Sequence, residues 1–228
     1  MVLAVGALLA IVGGPVVLVL AALAALVLAV VAYLYADRLV LRVSHARAVS
    51  PDEEPRYHNL VEGLCVSAGL PKPELYVIDD EAPNSFAAGR DPAHAAIVVT
   101  TGLLRKLSRV ELEGVVAHEL SHIRANDTLV TGLGTALVGL PLMPAGALAD
   151  RLLASLVGRG RERDADLGGV RLTRYPPGLA AALENIRREG PATLPASRAT
   201  AHLWISSPLD GESGAIRLEE RIAALRDM

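Results

Sequence analysis

Aromatic side chains and cysteines are scarce in this chain. Aromatic residues make up 3% of the sequence, although 52% of it is apolar. The net charge of −3 and the lack of basic runs interleaved with aromatic residues argue against a nucleic-acid-binding protein. The one cysteine, Cys65, excludes an internal disulfide and a metal site built from several cysteines. We expect Cys65 to be a core residue.

Charge is also absent from residues 1 to 36, which are mainly Leu, Val and Ala with one interruption at Gly13-Gly14-Pro15. A membrane-spanning helix needs about 20 apolar residues, and the stretch from Pro15 to Tyr35 supplies them. A cleaved signal peptide would have a basic start and a shorter apolar core, and neither is present. Residues 1–37 are therefore predicted to be a retained membrane anchor. It is either one transmembrane helix with a kinked extension or a short helical hairpin.

The residues around the end of the anchor indicate its orientation. Tyr33 and Tyr35 lie where aromatic residues meet the membrane interface, and three arginines follow them. These are Arg38, Arg42 and Arg47. Positively charged flanks stay on the cytoplasmic side, so residue 38 onward is predicted to be cytoplasmic, at the inner (cytoplasmic) cell membrane.

Residues 38–228 are predicted to form one α+β domain that is mostly helical, with a small three-stranded sheet. A helix is expected to start around Ser50-Pro51 and to end at Gly69, because a cap residue, a proline and acidic residues mark its start. Three short runs separated by proline and Asp-Pro turns predict the strands. The runs are Glu74 to Asp79, Asn84 to Gly89 and Ala95 to Thr100, followed by a turn from Gly102 to Leu107. Later helices are expected at Gly178 to Arg188 and Leu218 to Arg226.

The most informative motif is His118-Glu119-Leu120-Ser121-His122, which has the H-E-x-x-H pattern. Residues four apart lie on one face of a helix, so both imidazoles can bind one metal ion while Glu119 holds a water on it. Ser108 and Glu111 form a capping box that predicts the start of this helix. Its apolar stripe is Leu112, Val116, Leu120 and Ile123. A buried, hydrogen-bonded histidine pair is the alternative interpretation.

A catalytic zinc site usually has three protein ligands and an open position for water. Glu162, in a charged segment of helical character, is the best candidate for the third ligand. Asp166 lies one helical turn later, so it can accept a hydrogen bond from the free ring nitrogen of a ligand histidine. Asp127, just past the metal helix, can do the same or cap the helix. Alternatively, Glu162 and Asp166 belong to a solvated face among arginines.

A second apolar block, residues 129–157, lies between the two parts of this motif. A single membrane crossing would put Glu162 on the opposite side from His122, and two crossings need about 40 apolar residues. The block is therefore predicted to be a membrane-associated insertion that enters and returns or lies along the interface. A buried helix of the soluble domain is the alternative.

Four motifs occur in order along the chain. They are Asn84-Ser85-Phe86-Ala87-x-Gly89, Val99-Thr100-Thr101-Gly102-Leu103-Leu104, His118-Glu119-Leu120-Ser121-His122 and Glu162-x-x-Ala165-Asp166. Together they resemble the HtpX-type membrane zinc peptidases, relatives of the CAAX prenyl proteases, from about Arg47 to the C-terminus. The resemblance implies a zincin-like domain whose sheet edge binds an extended peptide.

The resemblance also implies roles for individual residues. It implies one Zn²⁺ per chain on His118, His122 and Glu162, with Glu119 as general base. Asn84 and Phe86 match a motif whose strand lies over the site, which implies contacts with substrate or the developing oxyanion.

The chain departs from the family pattern in two places. Relatives usually carry a Ser-Thr-His-Pro segment just before the last helix, whereas residues 214–222 contain no histidine. His202, in a segment similar to the family's His-Leu-Phe stretch, is the remaining candidate for a substrate or oxyanion contact. Relatives also often have two full membrane helices where this chain has the shorter block of residues 129–157.

These observations predict a membrane-anchored zinc metalloendopeptidase that hydrolyses polypeptides, with damaged or misassembled membrane proteins as the substrate class that the resemblance implies. The lipid bilayer is the other expected partner, and no nucleic acid is expected. Two alternatives stay open: a zinc-binding membrane scaffold without turnover, and a peptidase that processes prenylated proteins.

Overall fold

The computed structural model describes residues 2–139, 160–190, 200–207 and 211–228. It divides the chain into two units, Met1–Tyr35 and Ala36–Met228. Helix α1 spans Val2–Val43 and is broken at Gly14, whose φ of 65° and ψ of −172° are not helical. This is the interruption predicted from Gly13-Gly14-Pro15. The 30 residues from Gly14 to Val43 include an 18-residue window with a mean hydropathy of 3.0, so this helix is long and apolar enough to cross a membrane.

The second unit contains helices, four strands and three short non-α turns among its described residues. The helices are α2 (Pro55–Ala68), α3 (Thr101–Lys106), α4 (Arg109–Ala125), α5 (Asp127–Gly134), α6 (Arg161–Thr173), α7 (Pro176–Glu189) and α8 (Gly211–Arg226). The strands are β1 (Arg47–Ala48), β2 (Glu74–Ile78), β3 (Ser85–Gly89) and β4 (Ala95–Thr100). The short turns are 3₁₀ turns at Pro92–His94 and Ala201–Leu203 and a π-helical turn at Thr135–Gly139.

The sheet has four strands in the order β1-β2-β4-β3, rather than the three strands predicted. Strands β2 and β4 are parallel, while β1 and β3 pair antiparallel with their neighbours. The additional strand, Arg47–Ala48, is two residues long and both residues are exposed. An exposed strand of this length carries no alternating apolar pattern, so the sequence gives no signal for it.

Alternate residues of the strands face opposite sides of the sheet. On β4, Ile97 and Val99 contribute to the core that contains helices α2, α4, α7 and α8. Ala96 and Val98 contribute to a second cluster, with Trp204 and the end of α1. The small sheet is therefore buried on both faces, and β3 is its edge strand on the side of the candidate site.

Helix α2 starts later than predicted. It begins at Pro55, and the preceding Glu54 has φ −130° and ψ 65°, because the residue before a proline is displaced from the helical region. Ser50 and Glu53 bond reciprocally in their own turn, with Ser50 N donating to Glu53 Oε2 at 2.9 Å. Cys65 on this helix is buried, as predicted.

Helix α4 lies at the centre of the second unit. The predicted capping box is present, since Ser108 N donates to Glu111 Oε2 at 2.7 Å and Ser108 Oγ accepts from Glu111 N. All four residues of the predicted stripe are at most 1% exposed. The segment before the helix is not the predicted turn but the short helix α3, which Thr100 caps by accepting a hydrogen bond from Leu103 N. Burial of α4 fixes its backbone and the side chains that it carries.

The second apolar block begins as part of the folded unit. Within α5, Thr128, Thr131 and Gly132 are buried. This part agrees with the alternative of a buried helix. Residues 140–157 of the block lie outside the described residues.

Candidate active site

The two histidines of the H-E-x-x-H motif converge from one face of α4. Their Nε2 atoms are 3.2 Å apart, and the two imidazoles are 0% and 6% exposed for His118 and His122 respectively. One helical turn separates the residues, which is the geometry predicted from the sequence.

Helix α6 brings Glu162 to the same point. Glu162 Oε2 is 3.5 Å from His118 Nε2, and Glu162 Oε1 is 3.5 Å from His122 Nε2. A tetrahedral zinc ion with bonds of about 2.0–2.2 Å needs ligand atoms about 3.3–3.6 Å apart. The three side chains therefore fit zinc by both spacing and chemical type. The contact also places residues 122 and 162 side by side, as the prediction of no single membrane crossing between them requires.

The other ring nitrogen of each histidine faces a carboxylate. His118 Nδ1 is 2.9 Å from Asp166 Oδ1, and His122 Nδ1 is 3.0 Å from Asp127 Oδ2. A carboxylate only accepts hydrogen bonds, so the hydrogen bond to Asp127 favours a proton on Nδ1 of His122, and Asp166 at ion-pair distance favours one on Nδ1 of His118. The Nε2 atoms of the two rings then face one another. Two facing nitrogens of this kind are satisfied by a cation between them, either a shared proton or a metal ion. Asp166 and Asp127 thus lie where the sequence predicted supporting carboxylates.

The carboxylates give the site a strong preference for positive charge. Burial alone would lower the pKa of His118, but Asp166 and Glu162 outweigh it and raise that pKa to about 9. Burial likewise opposes the charged form of Glu162, yet the pKa of its carboxyl lies well below its usual range because of His118 and Arg221. The negative charge of these carboxylates also favours the binding of a metal cation.

Arg221, on the C-terminal helix α8, is a site residue that the sequence analysis missed. Its Nε and Nη2 each donate to one oxygen of Asp166 at 2.8 Å, and its Nη1 lies 3.2 Å from Glu162 Oε2. Nη1 also donates to the carbonyl of Ile205 at 2.9 Å. Arg221 is 6% exposed, and it links α8 to both carboxylates of α6. One available signal was its position in an apolar stripe with Leu218, Ile222 and Leu225.

Glu119 lies beside the two histidines and is 1% exposed. Burial raises the pKa of its carboxyl above the usual value, although His118 and His122 act in the opposite direction. Ser85 Oγ donates a hydrogen bond to Glu119 Oε1 at 2.6 Å. Ser85 belongs to the Asn84–Gly89 motif, but nothing in that motif alone predicts a role for its hydroxyl.

Two glycines allow α6 to approach α4 closely. A Cβ on Gly169 would lie 2.9 Å from the backbone nitrogen of His118, and a Cβ on Gly168 would overlap the side chain of Ser121. Hydrogen atoms at these positions let the helix that carries Glu162 and Asp166 pack directly against the helix that carries His118.

Asn84 and Phe86, which were predicted to contact substrate, instead make hydrogen bonds and packing contacts with other parts of the protein. The amide of Asn84 donates to the carbonyl of Ser206 at 2.8 Å, and its oxygen accepts from the backbone nitrogens of Ser85 and Ser206. Phe86 is 0% exposed and packs edge-on against Trp204, with ring centroids 4.9 Å apart. Both residues hold the segment around residue 205 beside strand β3. Their predicted contact with substrate has no support in this geometry and stays a prediction.

His202 faces α5. Its Nε2 lies 3.4 Å from the carbonyl oxygen of Thr131 and 3.4 Å from Thr135 Oγ1, and its own carbonyl accepts from Arg161 Nη2 at 3.1 Å. Burial lowers the pKa of its imidazole to about 4, so the ring is neutral. Its predicted role in substrate or oxyanion binding also stays a prediction.

A small sheet beside a buried H-E-x-x-H helix, with a glutamate from a second helix completing a three-ligand group, defines a zincin-like metallopeptidase. The model of peptidase family M48 matches residues 51–208, and the chain belongs to this family.

Curated relatives agree with the family assignment. The chain is 36% identical to "Protease HtpX homolog" of Burkholderia multivorans (strain ATCC 17616 / 249), over 86% of this chain and 82% of that protein. It is also 36% identical to the protein of the same name from Burkholderia ambifaria (strain MC40-6), over 95% of this chain and 89% of that protein. With its apolar N-terminal helix, the chain is a membrane-anchored metallopeptidase, of a family that is in general zinc-dependent. The HtpX-type resemblance is confirmed.

Proposed function

We propose that this protein is a zinc endopeptidase whose ion is held by His118 and His122 through Nε2 and by the carboxylate of Glu162. The observation that carries the proposal is the convergence of these three ligand groups, 3.2–3.5 Å apart, beside the buried carboxylate of Glu119. Asp166 and Asp127 orient the imidazoles through their Nδ1 atoms. Bound zinc would lower the pKa of a water to about 7 and polarise the scissile carbonyl.

In this mechanism Glu119 is the general base. It accepts a proton from the attacking water and delivers that proton to the leaving amine, a role that contributes about 10²–10⁴-fold in rate. Its burial supports the role, because a carboxylate in a water-poor site is more basic than one in solution, and here burial outweighs the opposite effect of the two histidines.

Strand β3 is the surface on which we propose that a polypeptide substrate lies. Asn84 and its neighbours pair with β4, so the backbone groups of Ser85 and Ala87 face away from β4. The carbonyl of Ser85 already accepts from Ile205 N at 2.9 Å, whereas Ala87 lines a small opening beside His122 and Asp127. An extended peptide that pairs with Ala87 would pass the metal ligands.

The cellular setting of the proposal follows from the anchor. We propose that residues 1–37 hold residues 38–228 at the cytoplasmic face of the inner membrane, because Arg38, Arg42 and Arg47 follow the uncharged stretch of residues 1–36. A site in that position suits damaged or misassembled membrane proteins as substrates, in quality control or a stress response.

The test combines zinc content with casein cleavage by the full-length protein in detergent. Glu119→Gln should keep its zinc, because Glu119 is not a ligand, and should lose at least about 100-fold of the cleavage rate. His118→Ala and Glu162→Ala should lose zinc as well as cleavage, because two protein ligands bind zinc weakly. Glu184→Ala is the control, since Glu184 pairs with Arg226 at the surface, on α7 and α8, away from the metal ligands.

Each part of the proposal can be refuted separately. Full turnover by Glu119→Gln would remove Glu119 from the mechanism, and full zinc occupancy in Glu162→Ala would remove the third ligand. Bound zinc in the parent without casein cleavage would favour the scaffold or the prenyl-protein peptidase. Cleavage of a prenylated peptide, without cleavage of its unprenylated form, would then identify a prenyl-protein peptidase.

A further inference from the structure

Ser85 makes the closest described contact to the proposed base. Ser85 and Glu119 are 34 positions apart in sequence, and yet Ser85 Oγ is 2.6 Å from Glu119 Oε1. Ser85 is 0% exposed and Glu119 is 1% exposed, so water does not compete for this hydrogen bond. A hydroxyl that donates to a carboxylate at this distance forms a strong, charge-assisted hydrogen bond.

The fold holds the hydroxyl of Ser85 in a fixed place. Ser85 lies on strand β3, opposite Val99 in the antiparallel pair with β4, and its carbonyl accepts a hydrogen bond from Ile205 N. Its backbone is therefore bonded on the side of β4 by the neighbouring residues and on the other side by Ile205. Alternation along the strand turns Ser85 and Ala87 towards the core of α4, while Phe86 packs on the opposite face.

Glu119 benefits from such a fixed partner. A glutamate has three side-chain torsions, and a carboxylate that must meet one water molecule needs a single orientation. With Oε1 held by Ser85, the plane of the carboxylate is set and Oε2 is left to accept the proton. A displacement of about 1 Å of a group that takes part in the reaction costs about 100-fold in rate.

We infer that Ser85 is a positioning residue that orients the carboxylate of Glu119 for proton transfer. The inference rests on the proposed function, in which Glu119 is the base. Ser85 itself transfers no proton to substrate: it donates its hydroxyl hydrogen to Oε1 throughout the reaction and acts only through Glu119.

The experiment measures kcat, KM, zinc content and thermal stability of the full-length, zinc-loaded protein in detergent with labelled casein. In Ser85→Ala we expect kcat to fall about 10–100-fold, with KM changed by less than about twofold and with unchanged zinc content. Ser85→Thr keeps the hydroxyl and should recover most of kcat. Ser67→Ala is the control, because the hydroxyl of Ser67 donates to the Gly63 carbonyl on the exposed face of α2.

A double-mutant cycle separates positioning from a general structural effect. In Glu119→Asp the shorter carboxylate no longer reaches Ser85 Oγ, so Ser85→Ala should change the residual rate of that variant by less than about twofold. An equal loss in both backgrounds would show that Ser85 acts only on the fold and would overturn the inference. A loss of zinc or an effect on KM alone in Ser85→Ala would overturn it as well.

Failure of the inference and failure of the proposed function give different results. If Glu119→Gln is inactive while Ser85→Ala has the parent's kcat, Ser85 is not a positioning residue and the proposed function stands. If Glu119→Gln retains turnover, Glu119 is not the base and the inference falls with it.

Discussion

Replacement of Arg221 by methionine is the sharpest test of how the fold supports the site. The guanidinium makes two 2.8 Å hydrogen bonds to Asp166 and lies 3.2 Å from Glu162 Oε2, while its side chain is only 7% exposed. Methionine keeps much of the volume of the stem but removes the charge and all donors. Asp166 would then be a buried carboxylate whose remaining partner is His118.

The expected magnitude follows from this loss of pairing. Removing one partner of a buried ion pair costs about 3–5 kcal/mol, because the other charge stays buried without compensation. For a domain of this size, 1 kcal/mol corresponds to about 2–4 °C, so Tm should fall by about 6–20 °C. Zinc affinity should fall about 10–100-fold, since Asp166 would hold His118 less firmly.

The assay compares Arg221→Met with a variant on the same helix. Arg226 pairs with Glu184 at the surface, where the two side chains are 63% and 38% exposed, and such pairs contribute about 0–1 kcal/mol. Thermal unfolding in detergent and zinc retention against a chelator are measured for Arg221→Met and Arg226→Met. Arg221→Lys keeps the charge but not the bidentate hydrogen bonding to Asp166. Its Tm and zinc retention should lie between those of the parent and those of Arg221→Met. If Arg221→Met and Arg226→Met behave alike, the reasoning is refuted.

Two further predictions concern packing and pH. Gly169→Ala should destabilise the fold by about 1–3 kcal/mol and weaken zinc retention, because the new methyl would push α6 from the backbone of His118. Gly63→Ala on α2 is its control: its methyl meets no atom within 4 Å, so Tm should stay level or rise. The neutral His202, with a pKa of about 4, binds fewer protons than the unfolded chain between about pH 4 and 6.5. Stability should therefore fall as pH drops through that window, and His202→Gln should lose part of this dependence when Tm is compared at pH 7 and 5. An identical pH slope in parent and variant would contradict the burial argument.

The sequence predicts well those features that depend on neighbours along the chain. The capping box of Ser108 and Glu111, the four-residue spacing of His118 and His122, and the position of Asp127 are all local to one helix and its end. Helical periodicity fixes such relations before any tertiary contact forms. The strand β4 was predicted with its observed bounds, because a fully apolar run between turns is a strong local signal.

Relations between distant segments could not be read in the same way. Arg221 and Asp166 are joined across 55 residues, and Asn84 and Ser206 across 122. In a single sequence, a charged residue is expected on a solvated face, because burial of a charge is favourable only with a partner that the sequence does not specify. The place of Arg221 within an apolar stripe was the one local sign of its burial. Nothing local distinguishes Ser85 from any other serine in a strand.

The described charges around the two histidines explain why these distant residues are needed. Four carboxylates surround the site: Glu119, Asp127, Glu162 and Asp166. Two guanidiniums, Arg161 and Arg221, face Glu162. When both imidazoles are neutral, as metal ligands must be, the group retains two negative charges, which one divalent cation would neutralise. Without Arg221 the excess would be three, in a site where water screens little. The arginine of the last helix is thus part of the charge balance of the site, although it is not among the proposed metal ligands.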